Sequence, residues 1–419
     1  MGFTRPKKAI GLDIGTHSAK AVLMSRTGGR LRVEQAKQVV VDRNQLNNDP
    51  IEAQAQAVRE ALRGMPVGQC LVVPALAGQT VVVRYPRLAS TSRGRTETAM
   101  RAEAAHSIPY DLNDVFLDWS VLDEYVEEEQ KQLKILLVAA KHEVIDARMQ
   151  VLQAAEVQPG VLGVDSLSLA DAAESCDFLR VGETVAMIDL GLTSAGVHFI
   201  KDGISNFIRE VNWGAREMVQ AIAKDRRCNY DEALKQMEEF RYRPEEVPYA
   251  PEAEAVGEDD VPVAEAVIPP MAMGNPSLLD PLDDEYDNLP GLAGATKTNA
   301  PSRETFAPAP ASGPLRSLPE ILAAPLARMA SEFRRSFDFY EHQLYERAVD
   351  RIILCGGAAM FSLVRETLQY ELGLDNIEIA HPDDSALLFG DWNAVSDLIA
   401  QPPQFMVAVG LAARGMADL

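Results

Sequence analysis

The chain has 419 residues and a formal net charge of −22. This length favours two or more domains with sizeable hydrophobic cores. The negative charge argues against a nucleic-acid-binding protein, because no basic face is evident that could neutralise phosphates.

The N-terminal part of the chain predicts a three-stranded meander followed by a helix and a fourth strand. Strand-like apolar runs occupy 9–14, 19–25 and 31–41. Residues 50–62 carry apolar side chains at helical spacing, and residues 70–76 form an apolar run of strand length. Together these elements open a first lobe, which we predict to extend over residues 1–182.

Residues 78–160, called the inserted unit below, predict a compact β-α-β-β-α subdomain within the first lobe. The predicted elements are a strand at 81–85, a helix at 95–107, strands at 115–122 and 133–140 separated by an acidic hairpin at 123–130, and a helix at 144–155. Residues 161–165 and a following helix return the chain to the first lobe.

The part of the chain from residue 183 repeats the opening of the first lobe and predicts a second lobe, 183–419. Strands are expected at 185–189, 195–201 and 204–211, with an Asp-Gly turn between the last two. Helices are expected at 215–224 and 230–240. We therefore predict two related lobes.

Residues 244–314 interrupt the second lobe with a different composition. They hold thirteen of the 25 prolines, and residues 244–296 contain thirteen Asp or Glu with no Lys or Arg. Such a segment buries too little apolar surface to offset its conformational entropy, so we predict a disordered acidic insertion. A surface insertion without a function of its own is favoured over a binding tail for a basic partner.

After this insertion the chain predicts a long helix, a strand and a glycine-rich turn. The expected elements are a helix at 318–347, a strand at 351–354, a helix at 363–372, a strand at 377–380 and a terminal helix at 405–413. The strand at 351–354 leads into Gly356-Gly357-Ala358. Bare backbone before a helix suits an anion or a flat base, although tight strand–helix packing explains the same pattern.

The most informative motif occurs twice, once in each lobe. Ile10-Gly11-Leu12-Asp13-Ile14-Gly15-Thr16 and Ile188-Asp189-Leu190-Gly191-Leu192-Thr193-Ser194 each deliver an Asp, a Gly and a hydroxyl residue from a strand. The glycine lets backbone N–H groups approach a phosphate, and the hydroxyl is a further donor. The carboxylate can hold Mg²⁺ through water. Two copies therefore predict a nucleotide bound between two lobes.

The chain carries no sign of export or membrane insertion. The basic N-terminus leads directly into a strand, so no signal peptide is expected, and no apolar run approaches the roughly 18 residues of a membrane span. The four cysteines, Cys70, Cys176, Cys228 and Cys355, form no CxxC pair and are predicted to be buried free thiols. We therefore expect a soluble cytoplasmic protein.

The order of the three motifs resembles the actin-like ATPase superfamily, which includes sugar kinases and Hsp70. The resemblance implies an α/β fold of two lobes with ATP and Mg²⁺ between them. It implies a first phosphate segment at Asp13, Gly15, Thr16 and His17, a second at Asp189, Gly191, Leu192 and Thr193, and an adenosine segment at Gly356, Gly357 and Ala358. In such folds the paired carboxylates, here Asp13 and Asp189, act around the metal and the attacking water.

Within the superfamily the chain resembles most closely the PilM family of type IV pilus assembly. The likeness lies in residues 10–20, 108–141, 208–214 and 333–358. It implies an ATP-binding scaffold at the inner face of the inner membrane, in a pilus or related secretion platform. It also implies that the inserted unit and the first lobe form a groove for the N-terminal peptide of a PilN-like membrane partner. A homo-oligomer is left open.

Several candidate cofactor contacts depart from the family pattern. Lys20 and Gly214 fit it, but the ribose segment is blurred, with Glu217 and Lys235 as its candidates. His17 stands where small hydroxyl residues are usual, and an exposed position in the turn is favoured over a phosphate contact. The sequence therefore predicts nucleotide binding, with at most a weak ATPase activity.

Two other functions remain as alternatives. A small-molecule kinase of the same fold needs a general base, for which Asp165 and Asp118 are candidates. A cell-division actin similar to FtsA is expected to carry a terminal amphipathic helix after a linker, which residues 414–419 do not resemble.

Overall fold

A computed structural model describes residues 7–90, 93–127, 129–239 and 316–417. The strands are β1 (Lys8–Ile14), β2 (Ser18–Thr27), β3 (Arg30–Val40), β4 (Leu71–Leu76), β5 (Val81–Arg84), β6 (Arg87–Ala89), β7 (Val115–Glu127), β8 (Gln130–Lys141), β9 (Gly163–Val164), β10 (Thr184–Leu190), β11 (Ala195–Lys201), β12 (Ile204–Val211), β13 (Arg351–Cys355), β14 (Ile377–Ile379) and β15 (Leu388–Phe389). The helices are α1 (Arg43–Asn48), α2 (Pro50–Ala61), α3 (Arg93–Ser107), α4 (His142–Ala154), α5 (Asp165–Ser175), α6 (Arg216–Arg226), α7 (Tyr230–Glu239), α8 (Leu318–Asp338), α9 (Ser362–Leu372), α10 (Ser396–Ala400) and α11 (Met406–Met416). The predicted disordered insertion, 244–314, lies outside the described residues.

Two sheets repeat the same plan, as the sequence predicted. The first sheet has the order β15-β3-β2-β1-β4-β9, and the second has the order β12-β11-β10-β13-β14. In each, three antiparallel strands are extended by a parallel one, β4 beside β1 and β13 beside β10. Strands β1 and β10 are buried almost throughout because both faces of each sheet are covered.

A third sheet lies in the inserted unit and packs against α3. Strand β8 is central, with β5 and β6 on one side and β7 on the other. Met100 and Ala104 of α3 pack against Ile135 and Leu137 of β8. Helix α4 was also assigned to the inserted unit, but Val151 and Leu152 place it in the core beside α2.

The acidic hairpin predicted at 123–130 is wrong in extent, because β7 and β8 continue through most of it. Glu124 is exposed, and its carboxylate lies 3.3 Å from Lys131 Nζ. An exposed edge strand tolerates such charges, and natural sheets use them there. The acidic composition therefore predicted a loop where the structure has the charged end of a strand.

The C-terminal segment returns to the first sheet. Helix α11 packs between β1 and α5, and β15 pairs with β3. The approach of α11 is very close: a Cβ on Gly11 would lie 2.0 Å from the carbonyl oxygen of Ala408. The boundary between the two lobes at residue 183 stays a prediction. In the structure, β15 and α11 from the C-terminal segment contact the first sheet.

Several element bounds differ from the sequence predictions. Helix α8 ends at Asp338 rather than residue 347, and a wide turn follows at Phe339–Gln343. That turn places the Tyr340 ring 4.1 Å from the Phe199 ring in a nearly parallel stack, so tertiary packing overrides helix propensity. Helices α1 and α10 and strands β6 and β15 were not predicted.

Two further expectations concern the cysteines and the membrane. All four cysteines are free thiols; Cys176 and Cys355 are buried, whereas Cys70 and Cys228 are half-buried. Among the helices of the described ranges, none is both long enough and apolar enough to cross a membrane.

Candidate functional site

The two Asp-x-Gly-Thr segments form matching hairpin turns that meet. The N–H of Gly15 donates to the carbonyl of Ser18 at 3.1 Å, and the N–H of Gly191 donates to that of Ser194 at 3.0 Å. The hydroxyls of Thr16 and Thr193, one from each turn, lie 3.3 Å apart. Residues 177 positions apart in sequence therefore face each other across one gap.

The gap opens into a cleft. Most predicted site residues line it: Asp13, Gly15, Thr16, His17, Lys20, Asp189, Gly191, Leu192, Thr193, Gly356, Gly357 and Ala358. Other lining residues come from α7, from the segment that leads into α11 and from the start of α11 itself: Leu234, Met237, Glu238, Pro403, Gln404 and Val407. The structure thus brings together three segments that the sequence indicated separately.

Two carboxylates from the ends of β1 and β10 lie in this cleft. Asp13 accepts a hydrogen bond from Lys20 Nζ at 2.9 Å, across the β1–β2 pair. Burial and the nearby Asp13 raise the pKa of Asp189 to about 6, although Lys20 and the N–H of Leu190 act in the opposite direction. A cation near Asp189 would therefore be stabilised strongly.

A third carboxylate, Asp165, lines the cleft from the N-terminus of α5. Its Oδ1 accepts the N–H of Gly78 at 2.6 Å and that of Ser166 at 2.5 Å. Burial, Asp189 and Asp13 raise the pKa of Asp165 to about 7, against these two hydrogen bonds. Of the two general-base candidates, Asp165 is in the cleft, whereas Asp118 is exposed on β7.

A fourth carboxylate, Glu210, was not singled out as a site residue. A Cβ on Gly78 would lie 2.3 Å from Glu210 Oε1 and 2.8 Å from Asp165 Oδ1, so both side chains flank one glycine. Burial, Asp165 and Asp189 raise the pKa of Glu210 to about 8. A signal existed in the strand pairing, because the residue opposite Glu210 is Gly196, which leaves room for the carboxylate.

Arg148 adds a cation beside these carboxylates, from α4. Its Nη2 donates to the carbonyl of Ile14 at 3.2 Å, at the end of β1. Burial lowers the pKa of Arg148, and the nearby carboxylates of Asp13 and Asp165 counteract this. Sequence reasoning missed Arg148, because its link to β1 spans 134 residues.

The Gly-Gly-Ala segment passes directly under Asp189. Gly356 has φ 84° and ψ 176°, and a Cβ there would lie 2.4 Å from Asp189 Oδ1. At Gly357 the nearest atom to an added Cβ is Gln404 Cδ at 3.9 Å, so this backbone borders open cleft. Gly356 therefore serves close packing, and Gly357 is the residue that leaves space for a ligand.

The remaining candidates take different positions. Gly214 packs beneath the second turn, since a Cβ there would lie 2.5 Å from the carbonyl oxygen of Leu192. Glu217 accepts a hydrogen bond from Arg328 at 3.1 Å, and Lys235 is exposed; neither lines the cleft. His17 is half-buried and lines the cleft, rather than standing exposed in the turn.

The chemistry of this donor set suits a metal–polyphosphate ligand. Backbone N–H groups and hydroxyls gather at two turns, which is how proteins commonly bind phosphate oxygens. Carboxylates are the ligands that Mg²⁺ prefers, directly or through water. The bare backbone at Gly357 leaves room for a flat group nearby.

The chain matches a family model described as type IV pilus assembly protein PilM over residues 11–247 and 314–416. Among solved structures it is similar to a PilM–PilN type IV pilus biogenesis complex, with 19% identity and a TM-score of 0.70 over 99% of this chain and 100% of that chain. This match confirms the predicted α/β, actin-like fold class.

Two other similar solved structures have lower TM-scores. The ethanolamine utilization protein EutJ from Carboxydothermus hydrogenoformans is 13% identical, with a TM-score of 0.46 over 98% of this chain and 91% of that chain. MreB 5 of Spiroplasma citri, bound to AMPPNP, is 10% identical, with a TM-score of 0.41 over 97% of this chain and 95% of that chain.

Proposed function

Because the chain belongs to the PilM family of type IV pilus assembly proteins, we propose that it is an ATP-binding scaffold of the pilus inner-membrane platform, on the cytoplasmic face. In this role it binds ATP with Mg²⁺ and the N-terminal peptide of a PilN-like membrane partner. The observation that carries the nucleotide proposal is the meeting of the two hairpin turns, with Thr16 and Thr193 in contact across the cleft.

The residues of the cleft divide naturally between the parts of the nucleotide. The N–H groups and hydroxyls of the turns at Gly15–Thr16 and Gly191–Thr193 would hold the phosphates. Asp13 and Asp189 would hold Mg²⁺ through its water molecules, and the backbone of Gly356–Ala358 would lie against adenosine. When bound, Mg²⁺ supplies positive charge to the phosphate oxygens.

The charge of the cleft supports a role for the metal. Asp13, Asp165 and Asp189 line the cleft, and Lys20 is already paired with Asp13. A bare polyphosphate would be repelled by these carboxylates, whereas its Mg²⁺ complex brings the compensating charge. ATP binding is therefore expected to depend strongly on Mg²⁺.

Isothermal titration with ATP, with and without Mg²⁺, tests the nucleotide site. Asp189→Asn is expected to weaken binding of ATP–Mg²⁺ at least tenfold, or about 1.4 kcal/mol, and to reduce the dependence on Mg²⁺. Asp171→Asn is a matched control, because burial also raises the pKa of Asp171, to about 6, but Asp171 does not line the cleft. Failure of the wild-type chain to bind ATP–Mg²⁺ would contradict the proposal.

The partner proposal rests on the family and on the exposed apolar surface of the inserted unit. Phe116, Val121 and Val126 of β7 are 60%, 48% and 69% exposed. Phe116 and Val121 lie five residues apart in one unbroken pairing with β8, so they occupy opposite faces of the strand and only Phe116 is taken as the candidate contact. From the family, we propose that the peptide binds in a groove between the inserted unit and the first lobe.

Fluorescence anisotropy with a labelled N-terminal peptide of the PilN-like partner tests this second part. Phe116→Ser is expected to weaken binding at least tenfold. Tyr370→Ser is the matched control, since Tyr370 is an 86% exposed aromatic side chain on α9. Equal affinity of the two variants for the peptide would remove β7 from the proposed groove.

A small-molecule kinase remains the second candidate, because Asp165 lies in the cleft with a pKa raised to about 7 by burial and by Asp189 and Asp13. Such a residue could accept a hydroxyl proton. Sugar-dependent release of ADP, lost in Asp165→Asn, would favour this candidate over the scaffold. We expect no such release.

A further inference from the structure

A chain of four hydrogen-bonding groups connects the inserted unit with the cleft. The hydroxyl of Tyr85, between β5 and β6, lies 2.7 Å from Ser205 Oγ on β12. Ser205 Oγ lies 2.8 Å from His198 Nε2 on β11. His198 Nδ1 lies 2.9 Å from the carbonyl oxygen of Ser166 on α5. This series of hydrogen bonds thus runs from the inserted unit through the second sheet to α5.

The direction of every bond in this chain follows from the buried imidazole. Burial lowers the pKa of His198 to about 4, so the ring is neutral and carries one N–H. A carbonyl can only accept, so His198 Nδ1 donates to Ser166. Nε2 then accepts from the Ser205 hydroxyl, and Ser205 accepts from the Tyr85 hydroxyl. Such an aligned series is cooperative, and each bond polarises the next.

At its far end, this series of hydrogen bonds reaches Asp165, a cleft residue that also accepts a hydrogen bond from the first residue of the inserted unit. The N–H of Ser166 donates to Asp165 Oδ1 at 2.5 Å, and the N–H of Gly78 donates to the same oxygen at 2.6 Å. One carboxylate oxygen in the cleft therefore bonds to the first residue of the inserted unit. Through Ser166 it is also connected with Tyr85, further along that unit.

Three of the four groups are too deeply buried for water to replace a lost bond, and Tyr85 is half-buried. His198 is 0% exposed, Ser166 is 8% exposed and Ser205 is 9% exposed. A buried polar group that loses its partner is costly, so the members of the chain hold one another in place. These buried hydrogen bonds differ in this respect from the exposed ion pairs on the surface, which contribute little to stability.

We propose that Tyr85, Ser205 and His198 are positioning residues that couple the inserted unit to the Asp165 wall of the nucleotide cleft. A ligand that shifts Asp165 also shifts Gly78 and the first turn of α5, and the hydrogen-bond chain carries this displacement to Tyr85. Conversely, a partner bound to the inserted unit biases the cleft, because coupling between two sites is reciprocal. This inference rests on the proposed binding of ATP.

Tyr85→Phe removes the first donor and leaves the Ser205–His198–Ser166 bonds intact. Tyr125→Phe is a matched control, because the Tyr125 hydroxyl is a buried group in the same sheet without a hydrogen-bond partner. Amide hydrogen exchange of residues 78–89 is measured with and without ATP–Mg²⁺, alongside the ATP affinity from titration and the midpoint of urea unfolding.

In the wild-type chain and in Tyr125→Phe, ATP–Mg²⁺ is expected to slow exchange in residues 78–89. Tyr85→Phe is expected to lose most of this slowing and to bind ATP about threefold to tenfold more weakly, as for one net hydrogen bond. If the wild-type chain binds ATP and Tyr85→Phe retains the slowing seen in Tyr125→Phe, the coupling is overturned while the nucleotide site stands. If the wild-type chain binds no ATP, the proposed function fails, and the coupling with it.

Discussion

Substitution of Gly356 by alanine gives the sharpest prediction about the cleft. The backbone of Gly356, with φ 84° and ψ 176°, lies in a region that is essentially restricted to glycine. An added Cβ would lie 2.4 Å from Asp189 Oδ1 and 2.6 Å from the carbonyl oxygen of Leu190. Both the conformation and the space at this position therefore oppose a side chain.

The expected loss of stability is the sum of two costs, one for the backbone conformation and one for the clash. Holding a residue other than glycine in this backbone region costs about 1–3 kcal/mol. The clash forces β10 or β13 to shift, and overpacking of this kind costs about 1–3 kcal/mol more. Gly356→Ala is thus expected to lower the free energy of unfolding by about 2–6 kcal/mol. It also displaces Asp189, so ATP–Mg²⁺ binding is lost together with stability.

Urea unfolding followed by tryptophan fluorescence measures the first effect, because Trp213 is buried in the second-sheet core. Gly357→Ala is the control, since its added Cβ approaches Gln404 Cδ no closer than 3.9 Å. That variant is expected to unfold at the urea concentration of the wild-type chain. The reasoning is refuted if Gly356→Ala loses less than about 0.5 kcal/mol, or if both variants lose the same amount.

Three further predictions address other parts of the molecule. Gly11→Ala places a Cβ 2.0 Å from the carbonyl oxygen of Ala408 and is expected to lower the urea midpoint strongly; Gly68→Ala, with no atom within 4 Å, is expected to leave it unchanged. Burial lowers the pKa of His198 to about 4, so the unfolded chain, with a pKa of about 6.5, takes up the proton first. The contribution of His198 is then lost as the pH falls from about 6.5 to 4, by on the order of 3 kcal/mol. The carboxyls with raised pKa values, Asp165, Asp189 and Glu210, act in the opposite direction in both chains, so the loss is measured as the difference in urea midpoint between the wild-type chain and His198→Gln at the two ends of the range. Arg43 joins α1 to α7: its Nη1 lies 2.5 Å from Asp231 Oδ1, and its Cζ lies 3.7 Å from the centroid of the Tyr230 ring. Arg43→Ala is expected to speed dissociation of a fluorescent ATP analogue about threefold to tenfold, and an unchanged rate in stopped flow would contradict this.

The sequence predicted those parts of the fold whose pattern is local. Strands β1 to β3 and β10 to β12 were found within a few residues of their bounds, because apolar runs and turn residues mark them directly. The sequence did not predict β15, whose two residues are strand only through pairing with Arg32 and Val33. It also missed the return of α11 to the first sheet, since an apolar helix does not specify which core it enters.

The candidate site shows the same division. The Asp-x-Gly-Thr motifs of the two turns and the glycine pair at Gly356 indicated residues that the structure brings together. Glu210 and Arg148 carry no local motif, and they reach the cleft area only because β12 and α4 are packed there. Glu217 and Lys235 were assigned by likeness to a family segment, yet one is paired with Arg328 and the other faces solvent.

The packing of α11 against β1 has a consequence for how the protein is made. Gly11 leaves the ribosome 397 residues before Ala408 (408 − 11), yet its close contacts are with Ala408 and Ala412. At about 5–20 residues per second, β1 waits on the order of 20–80 s before these partners exist. During that time an apolar face of the first sheet is uncovered, so nascent chains are expected to need a chaperone until residue 416 has emerged.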